Sequence, residues 1–562
     1  MKDTVGETAA SMQELPVEIL LRLAREKAHQ PWLFQPVDGQ ILQYTWSEAA
    51  EQVGRMTAAL RAQGWPPGSR IAISGFNTAH WFLADLAIQM AGYVPVGLYP
   101  KQAQKITTYV LEHCDAKAVF LGPMMDGPQF LEAIPDSVLK IRMPYPTAPR
   151  GDTDWDTFST GFEPVRDYTA PDPDALYVLI YTSGTTGHPK GVMLSASNMR
   201  WLRAAFNNVA PQLCENERLF SYLPLAHFLE RLAVESGSLL WGAEVHFLES
   251  MDKLAQQLPQ VAPTRFIAVP LVWMRLQAGI LQKVPQKRLD FLLSLPVVGR
   301  IVRRKLRRAI GLDNARFCLT GAAPIPVTTL EWFRDKLGIL IQEGCAPTES
   351  GAYGAVNTAE HTRFGSVGKP MSDSGFRLSE EGEIQLKHPG VMLGYYRDPE
   401  HTQEVFTEDG WLKTGDKGRL DEDGYLYVIG RVKDIFKTQK GKYVAPAPIE
   451  SAMARNISID QLCLIGTQLT QPIMILTLTP HAQLQDRQSL ERELLADMEA
   501  VNQSLEDHEK IAKLYIVSET WNIDSGVMTP TMKVKRDVIE NRYGARVREH
   551  AHNRGQLIVW SE

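Results

Sequence analysis

Between Tyr181 and Ser195 the chain reads YTSGTTGHPKGVMLS. Glycines at 184 and 187 let backbone N–H groups converge on one point. Thr182, Ser183, Thr185 and Thr186 add hydroxyl donors, and Lys190 adds a positive charge. Converging donors beside a cation are what a phosphate group requires. The bland alternative is a solvated surface loop. The upstream run ALYVLIY is continuously apolar, as in a strand buried on both faces. Downstream, Leu202, Ala205, Phe206 and Val209 have helical spacing, with Ser197 or Asn198 expected as the cap. The polar stretch is therefore expected to leave the end of a sheet strand, where α/β proteins bind ligands. It is not the G-x-x-x-x-G-K-[ST] phosphate loop, because Lys190 stands beside a proline three residues beyond Gly187.

Five further stretches carry chemistry in a fixed order: YLPLAHFLER (222–231), CLTGAAPIP (318–326), QEGCAPTESG (342–351), GWLKTGDKGRLDEDGYLYVIGRVKD (410–434) and WNIDSGVMTPTMKVKR (521–536). Alone, each has an ordinary structural explanation: a core histidine, a tight strand–helix turn, a turn aspartate, a solvated basic strand end. Together with the loop after Tyr181, and spanning roughly Trp46 to Arg536, they resemble the adenylate-forming superfamily. That superfamily comprises acyl-CoA synthetases, luciferases and peptide-synthetase adenylation domains, and the motif style here is that of medium- to long-chain fatty acyl-CoA ligases. The resemblance implies the following sites. Thr182, Ser183, Gly184, Thr185, Thr186, Gly187 and Lys190 would hold the phosphates of ATP. His227 would stand at the mouth of the acyl pocket. Gly321, Ala322 and Ala323 would flank adenine, as would Cys345 and Ala346. Thr348 would bond the α-phosphate, and Glu349 would hold Mg²⁺, a hard cation satisfied by one carboxylate plus substrate phosphates. Asp416 would accept from the ribose hydroxyls, with Arg431 as a second contact. Lys533 would be the catalytic lysine, and Gly441 would line a channel for CoA.

One position departs from the pattern. The family usually places an aromatic and a glycine where Cys345 and Ala346 stand. Loss of the stacking ring would cost ATP binding ~1 kcal/mol or more.

The resemblance implies a two-step reaction. A carboxylate attacks the α-phosphorus of ATP, expelling pyrophosphate, and a thiol then displaces AMP from the acyl-adenylate. Two alternatives stand beside acyl-CoA synthesis: a ligase that loads a carrier protein or another non-CoA acceptor, and a degenerate protein that binds nucleotide or acyl-CoA without turnover. Chain length of the acid is not legible, and an aryl acid is an alternative to a fatty one.

The elements that must position these residues follow from the rest of the sequence. A length of 562 residues exceeds what one core usually supports. Strand and helix patterns alternate through the first 350 residues, giving an α/β fold with parallel sheets. After Ser350 the Gly-punctuated patterns predict a small β-rich unit. From about Lys433, strands and helices alternate again. The change of pattern places a boundary near Lys433, between residues 1–432 and a C-terminal α/β domain over 433–562; the resemblance implies that the first is the adenylation domain and the second a mobile lid hinged near Lys433. Apolar residues at 44%, charged residues at 22% and a net charge of −6 are ordinary for a soluble protein and argue against a nucleic-acid binder. The five cysteines are scattered, and neither a signal peptide nor a spanning helix is expected, so the expected setting is cytoplasmic. FLLSLPVVGRIVRRKLRRAIGLD (291–313) combines an apolar face with a basic run. It reads as a patch for anionic lipid, a contact for CoA phosphates, or a solvated helix face. Oligomeric state is not legible.

Overall fold

A computed structural model describes residues 14–182, 188–456, 458–523, 525–529, 533–551 and 555–561. Strands β1 (Arg70–Ser74), β2 (Val94–Leu98), β3 (Ala116–Leu121) and β4 (Leu176–Thr182) are nearly continuous apolar runs. Such runs suit strands covered on both faces, and all four lie side by side in parallel within an eight-stranded sheet. Helix α1 (Ala79–Met90), capped by the Thr78 hydroxyl, is buried along its whole length against this sheet.

The segment after Tyr181 differs from expectation in one respect. Lys190–Ser195 is not loop but a strand, β5, antiparallel to β4 in the register Thr182↔Lys190. Its Val192 and Leu194 are buried in the core. Thr182 and Lys190 are therefore paired across two antiparallel strands, and the helix follows only after the second. That helix, α2 (Ala196–Val209), is capped by Ser195 rather than Ser197 or Asn198. Asn198 is the third helical residue and returns its side chain to the Ser195 N–H at 2.8 Å, completing a capping box. The polar side chains at 195–198 masked a cap that lies at the end of a strand.

A second sheet begins with three parallel strands, Arg265–Ala268, β6 (Phe317–Gly321) and β7 (Ile341–Cys345), and finishes antiparallel. Then comes the small β-rich unit, an antiparallel sheet whose last two strands are β8 (Leu412–Leu420) and β9 (Leu426–Arg431). Downstream, the strands Ile459–Ile465, Ile473–Leu478, Lys513–Ile516 and Ile558–Trp560 form a separate four-stranded sheet. The two apolar clusters around that sheet draw on no residue before Phe436. Lys433 lies just ahead of them in an exposed 3₁₀ turn, Val432–Asp434.

Candidate active site

Three strand ends and one distant loop bring the predicted residues together. In the second sheet Gly321 pairs with Gly344. This register sets Gly321–Ala323 beside Gly344–Ala346. A Cβ on Gly321 would meet the Gly344 carbonyl at 2.8 Å, so glycine is required for the approach. Ala322 adopts φ = 67°, a left-handed conformation uncommon for alanine, and Ala322 and Ala323 are exposed at the strand end. The chain then turns through Thr348–Ser350, where Thr348 and Glu349 are half-buried.

In the β-rich unit Asp416 and Arg431 are direct cross-strand partners, with Arg431 Nε donating to Asp416 Oδ1 at 2.9 Å. Burial raises the Asp416 pKa, while Arg431 and Lys533 oppose the rise. Burial pulls Arg431 down, but Asp416 and Glu349 carry it above its ordinary value. The thiol of Cys345 is pushed up to about 12 by burial and by Asp416, so it is neutral near pH 7.

Lys533 comes from the C-terminal unit. Its backbone is clasped by Thr529: the Thr529 N–H donates to the Lys533 carbonyl at 2.8 Å, and the Lys533 N–H donates to Thr529 Oγ1 at 3.0 Å. Two residues past Val534, Arg536 pairs with Glu450 at 2.7 Å, anchoring the segment to its own unit. Lys533 is exposed to solvent yet has protein charges around it. Burial and Arg431 lower its pKa, and Asp416 and Cys345 work against them. The same ammonium helps to hold the His227 imidazolium off: burial, then Lys533, bring the His227 pKa down to about 4. His227 is thus neutral near pH 7. Its Nδ1 accepts from the Leu229 N–H at 3.3 Å, which puts the remaining proton on Nε2. His227, Cys345, Asp416, Arg431 and Lys533 therefore share one electrostatic neighbourhood, although they come from four separate stretches of sequence.

Lys190, the first residue of β5, sits 5.0 Å from the centroid of the Tyr395 ring. The Tyr395 hydroxyl donates to Glu349 Oε1 at 2.9 Å. Tyr395 thus ties β5 to the Glu349 turn, and the sequence reading missed it. No motif marks it, because its partner lies 46 residues away. The residues fit the expected Mg²⁺. Among the described residues no cluster of three His, Cys, Asp or Glu side chains forms a protein cage. Glu349 spends one carboxylate oxygen on Tyr395 and has the other for a cation whose remaining ligands come from substrate phosphates and water.

A second group that the sequence reading missed lies under His227. Asn77 Nδ2 donates to Ser221 Oγ at 2.8 Å and to the Leu223 carbonyl at 2.6 Å, while its Oδ1 accepts from the Leu225 N–H at 3.2 Å. Glu230 Oε1 accepts from Ser221 Oγ at 2.9 Å and the Tyr222 N–H at 3.1 Å. This buried bracket fixes the loop that delivers His227. Of the other expected residues, Ser183–Gly187 lie outside the described residues. Gly441 occupies the exposed turn of a small hairpin, Phe436–Lys437 with Tyr443–Val444, at φ = 79°. Its backbone N–H is bonded within that turn.

Comparison with known proteins matches this architecture. Residues 23–396 match the family model described as AMP-binding enzyme, and residues 433–554 match that of the AMP-binding enzyme C-terminal domain. The chain belongs to the AMP-binding enzyme family. It is 30% identical to the long-chain-fatty-acid–CoA ligase FadD15 of Mycobacterium bovis, over 91% of this chain and 92% of that protein. It is 29% identical to long-chain-fatty-acid–CoA ligase 5 of Rattus norvegicus, over 87% and 81% of the two chains. Among solved structures, the adenylation domain of a carboxylate reductase from Mycobacterium chelonae shares the fold. Its TM-score is 0.81 at 20% identity, covering 97% of this chain and 92% of that one.

Proposed function

We propose that the chain is an AMP-forming acid–CoA ligase whose acid is a long-chain fatty acid. The observation that carries this reading is the placement of Lys533 from the C-terminal unit among Cys345, Asp416, Arg431 and His227 of the N-terminal part. In the first step a carboxylate oxygen bonds to the α-phosphorus of ATP and the bond to pyrophosphate breaks. No base is needed, since the acid is already ionised. The barrier is charge moving across the α-phosphate, and fixed donors and cations are the means of lowering it. Lys533 would meet the carboxylate and the α-phosphate. The hydroxyl of Thr348 would bond the α-phosphate, and the 182–190 stretch would take the leaving pyrophosphate. Mg²⁺, when bound at Glu349, supplies charge neutralisation at the phosphates. Asp416 would orient the ribose and Arg431 would orient Asp416. His227, held neutral with its proton on Nε2, would donate a hydrogen bond at the acyl end without adding charge.

In the second step the thiol sulfur of CoA bonds to the acyl carbon and the bond to AMP breaks. We place this step in a second arrangement, reached by rotation of the C-terminal unit about Lys433, in which Lys533 is withdrawn and Gly441 lines the thiol's approach. The fatty-acid assignment rests on the names of the relatives, and the acceptor on the same ground. Both are tested with a panel of acids from C6 to C18 plus aryl acids. Pyrophosphate release is measured alongside thioester formation with free CoA or with a carrier protein. The reading expects pyrophosphate release highest with the long-chain acids and thioester with free CoA. Preference for aryl acids, or transfer only to a carrier, would replace the respective part of the assignment.

A further inference from the structure

The basic segment is sorted by the fold into two kinds of arginine. Helices α3 (Gln286–Ser294) and α4 (Pro296–Ala309) are joined through Leu295 alone and pack on each other. Gly299 permits the close approach, since a Cβ there would meet the Leu293 carbonyl at 2.6 Å. On the inner face of α4, Val302 and Leu306 pack against the core. Arg303 donates to the Lys336 carbonyl at 2.9 Å, and Arg307 donates to the Leu312 carbonyl at 3.3 Å. Those two arginines fasten the helix to the protein.

The outer face is different. Val297, Ile301, Arg304 and Arg308 follow the i, i+4, i+7, i+11 spacing of one helical stripe. The N-terminal part of that face and the link before it are apolar and exposed: Phe291 at 64%, Leu295 at 37%, Val297 at 74%, Val298 at 40% and Ile301 at 51%. Arg300 stands among these apolar residues, the remaining turns carry Arg304, Lys305 and Arg308, all four cations are exposed, and α4 contains no acidic residue. The nearby Asp290 on α3 is paired with Lys336 at 2.7 Å. At 1.5 Å rise per residue, Arg304, Lys305 and Arg308 lie about 10–17 Å along the helix from Val297, while Arg300 stands beside Ile301 within the apolar turns. The apolar residues lead and most of the cations follow, the order in which an amphipathic helix meets acyl chains and headgroups. The chain as a whole is acidic, at −6, so the cationic patch is local.

We propose that the tip of this helical pair docks on an anionic lipid bilayer. Phe291, Leu295, Val297, Val298 and Ile301 enter the interface, and Arg300, Arg304, Lys305 and Arg308 meet lipid phosphates. The inference does not depend on the identity of the acid substrate.

The test uses the full chain and sedimentation with phosphatidylcholine vesicles, with and without about a third phosphatidylglycerol. The wild type should bind the anionic vesicles and not the neutral ones, and high salt should release it as the Debye length shortens to about 3 Å at 1 M. Val297→Asp with Ile301→Asp should lower the partition coefficient about tenfold or more. Arg304→Gln, Lys305→Gln and Arg308→Gln together should lower it about a hundredfold, at roughly fivefold per cation lost. Arg303→Met is the control: it should lower the melting temperature while leaving the folded protein's partition unchanged. Three results would overturn the proposal. One is equal binding by the wild type and both outer-face variants, or no binding by the wild type. Another is a wild-type dimer in light scattering that Val297→Asp abolishes, which would make the patch a contact between copies. The third is a raised KM for CoA in the charge variant with vesicle binding intact.

Discussion

Two groups of charged residues in this protein use the same side-chain types in opposite ways. Around Asp85 the charges are dry. Arg231, on a π-helical turn, pairs with Asp85 and lies 3.6 Å from Glu235, and the three side chains are 6%, 2% and 5% exposed. In the cleft, Arg431 is 50% exposed and Asp416 13%. The Asp85 group has one cation for two carboxyls. Burial raises both carboxyl pKa values, Glu235 well above its ordinary value, against the pull of Arg231. The cleft group keeps water access and has Lys533 as an extra charge supplied by a separate unit. Charges that hold a fold are enclosed and matched by neighbours, whereas charges that await a ligand are left partly paired and wet. A buried ion pair adds little net stability when intact but costs a great deal when half of it is removed.

The sharpest test is a pair of substitutions with crossed readouts. Arg231→Met should destabilise the fold by about 3–5 kcal/mol, because it strands two buried carboxyls. This is measured by urea unfolding of the N-terminal transition. Lys533→Ala should leave unfolding unaltered and lower acid-dependent pyrophosphate exchange by about 10²–10³-fold, the size of effect seen when one preorganised donor is lost. The same variant should still convert supplied acyl-adenylate to thioester at near wild-type rate, if the second step uses the other arrangement. Equal loss of both half-reactions in a folded protein would refute the division between the two arrangements. A large fall in the stability of Lys533→Ala would refute the contrast itself.

A subtler break concerns Glu230, which belongs to the dry side but supports the loop of the cleft's His227. Burial pushes its pKa up to about 8, with the Ser221 hydroxyl and the Tyr222 N–H pulling the other way. The folded state therefore holds a proton that the unfolded chain, with its carboxyl near 4.5, releases. Stability from this group is complete below pH 4.5 and is lost as pH rises through about 8. Glu343, also pushed to about 8 by burial, contributes in the same direction. Glu230→Gln keeps the acceptor and removes the titration. The melting temperature of the variant minus that of the wild type should climb between pH 6 and pH 9. Parallel curves would mean that Glu230 stays charged or reaches water.

What the sequence disclosed and what it withheld follow the distance between partners. In sequence Thr45-x-x-Glu48 reads as a capping box because its two members are three residues apart, and both bonds of the box are present at the start of the helix Trp46–Arg61. Three strands of the C-terminal sheet were legible as the apolar runs QLCLIG, IMILTLTP and KLYIVSE, while the fourth, Ile558–Trp560, is too short to show a pattern. Tyr395, Asn77 and the supporting role of Glu230 were not, since Tyr395 meets Glu349 across 46 residues and Asn77 meets Glu230 across 153. Periodicity carries no information at that range. The basic segment failed in a different way. Its composition was plain, but which arginines face inward is decided by the Lys336 and Leu312 carbonyls, which belong to neighbouring turns.

Cys345 is where sequence and structure meet most closely, and the expected effect there is the smallest. It ends β7 one residue past the Gly321↔Gly344 pair and lines a small hollow with Phe376, Thr414 and Asp416. The hollow has a cavity volume of about 10 Å³, room for about one water. A thiol offers little surface for a purine to stack on. Cys345→Tyr should restore about 1–1.5 kcal/mol of stacking, lowering the KM for ATP five- to tenfold with kcat little changed. Discrimination against GTP should be unaffected unless the ring also narrows the slot. The alternative is physical and separable. A ring forced into the hollow would overpack it, lower the melting temperature and leave the KM for ATP where it was. That outcome would assign Cys345 to the packing of the β-rich unit, on the dry side of the comparison, and remove it from the nucleotide site.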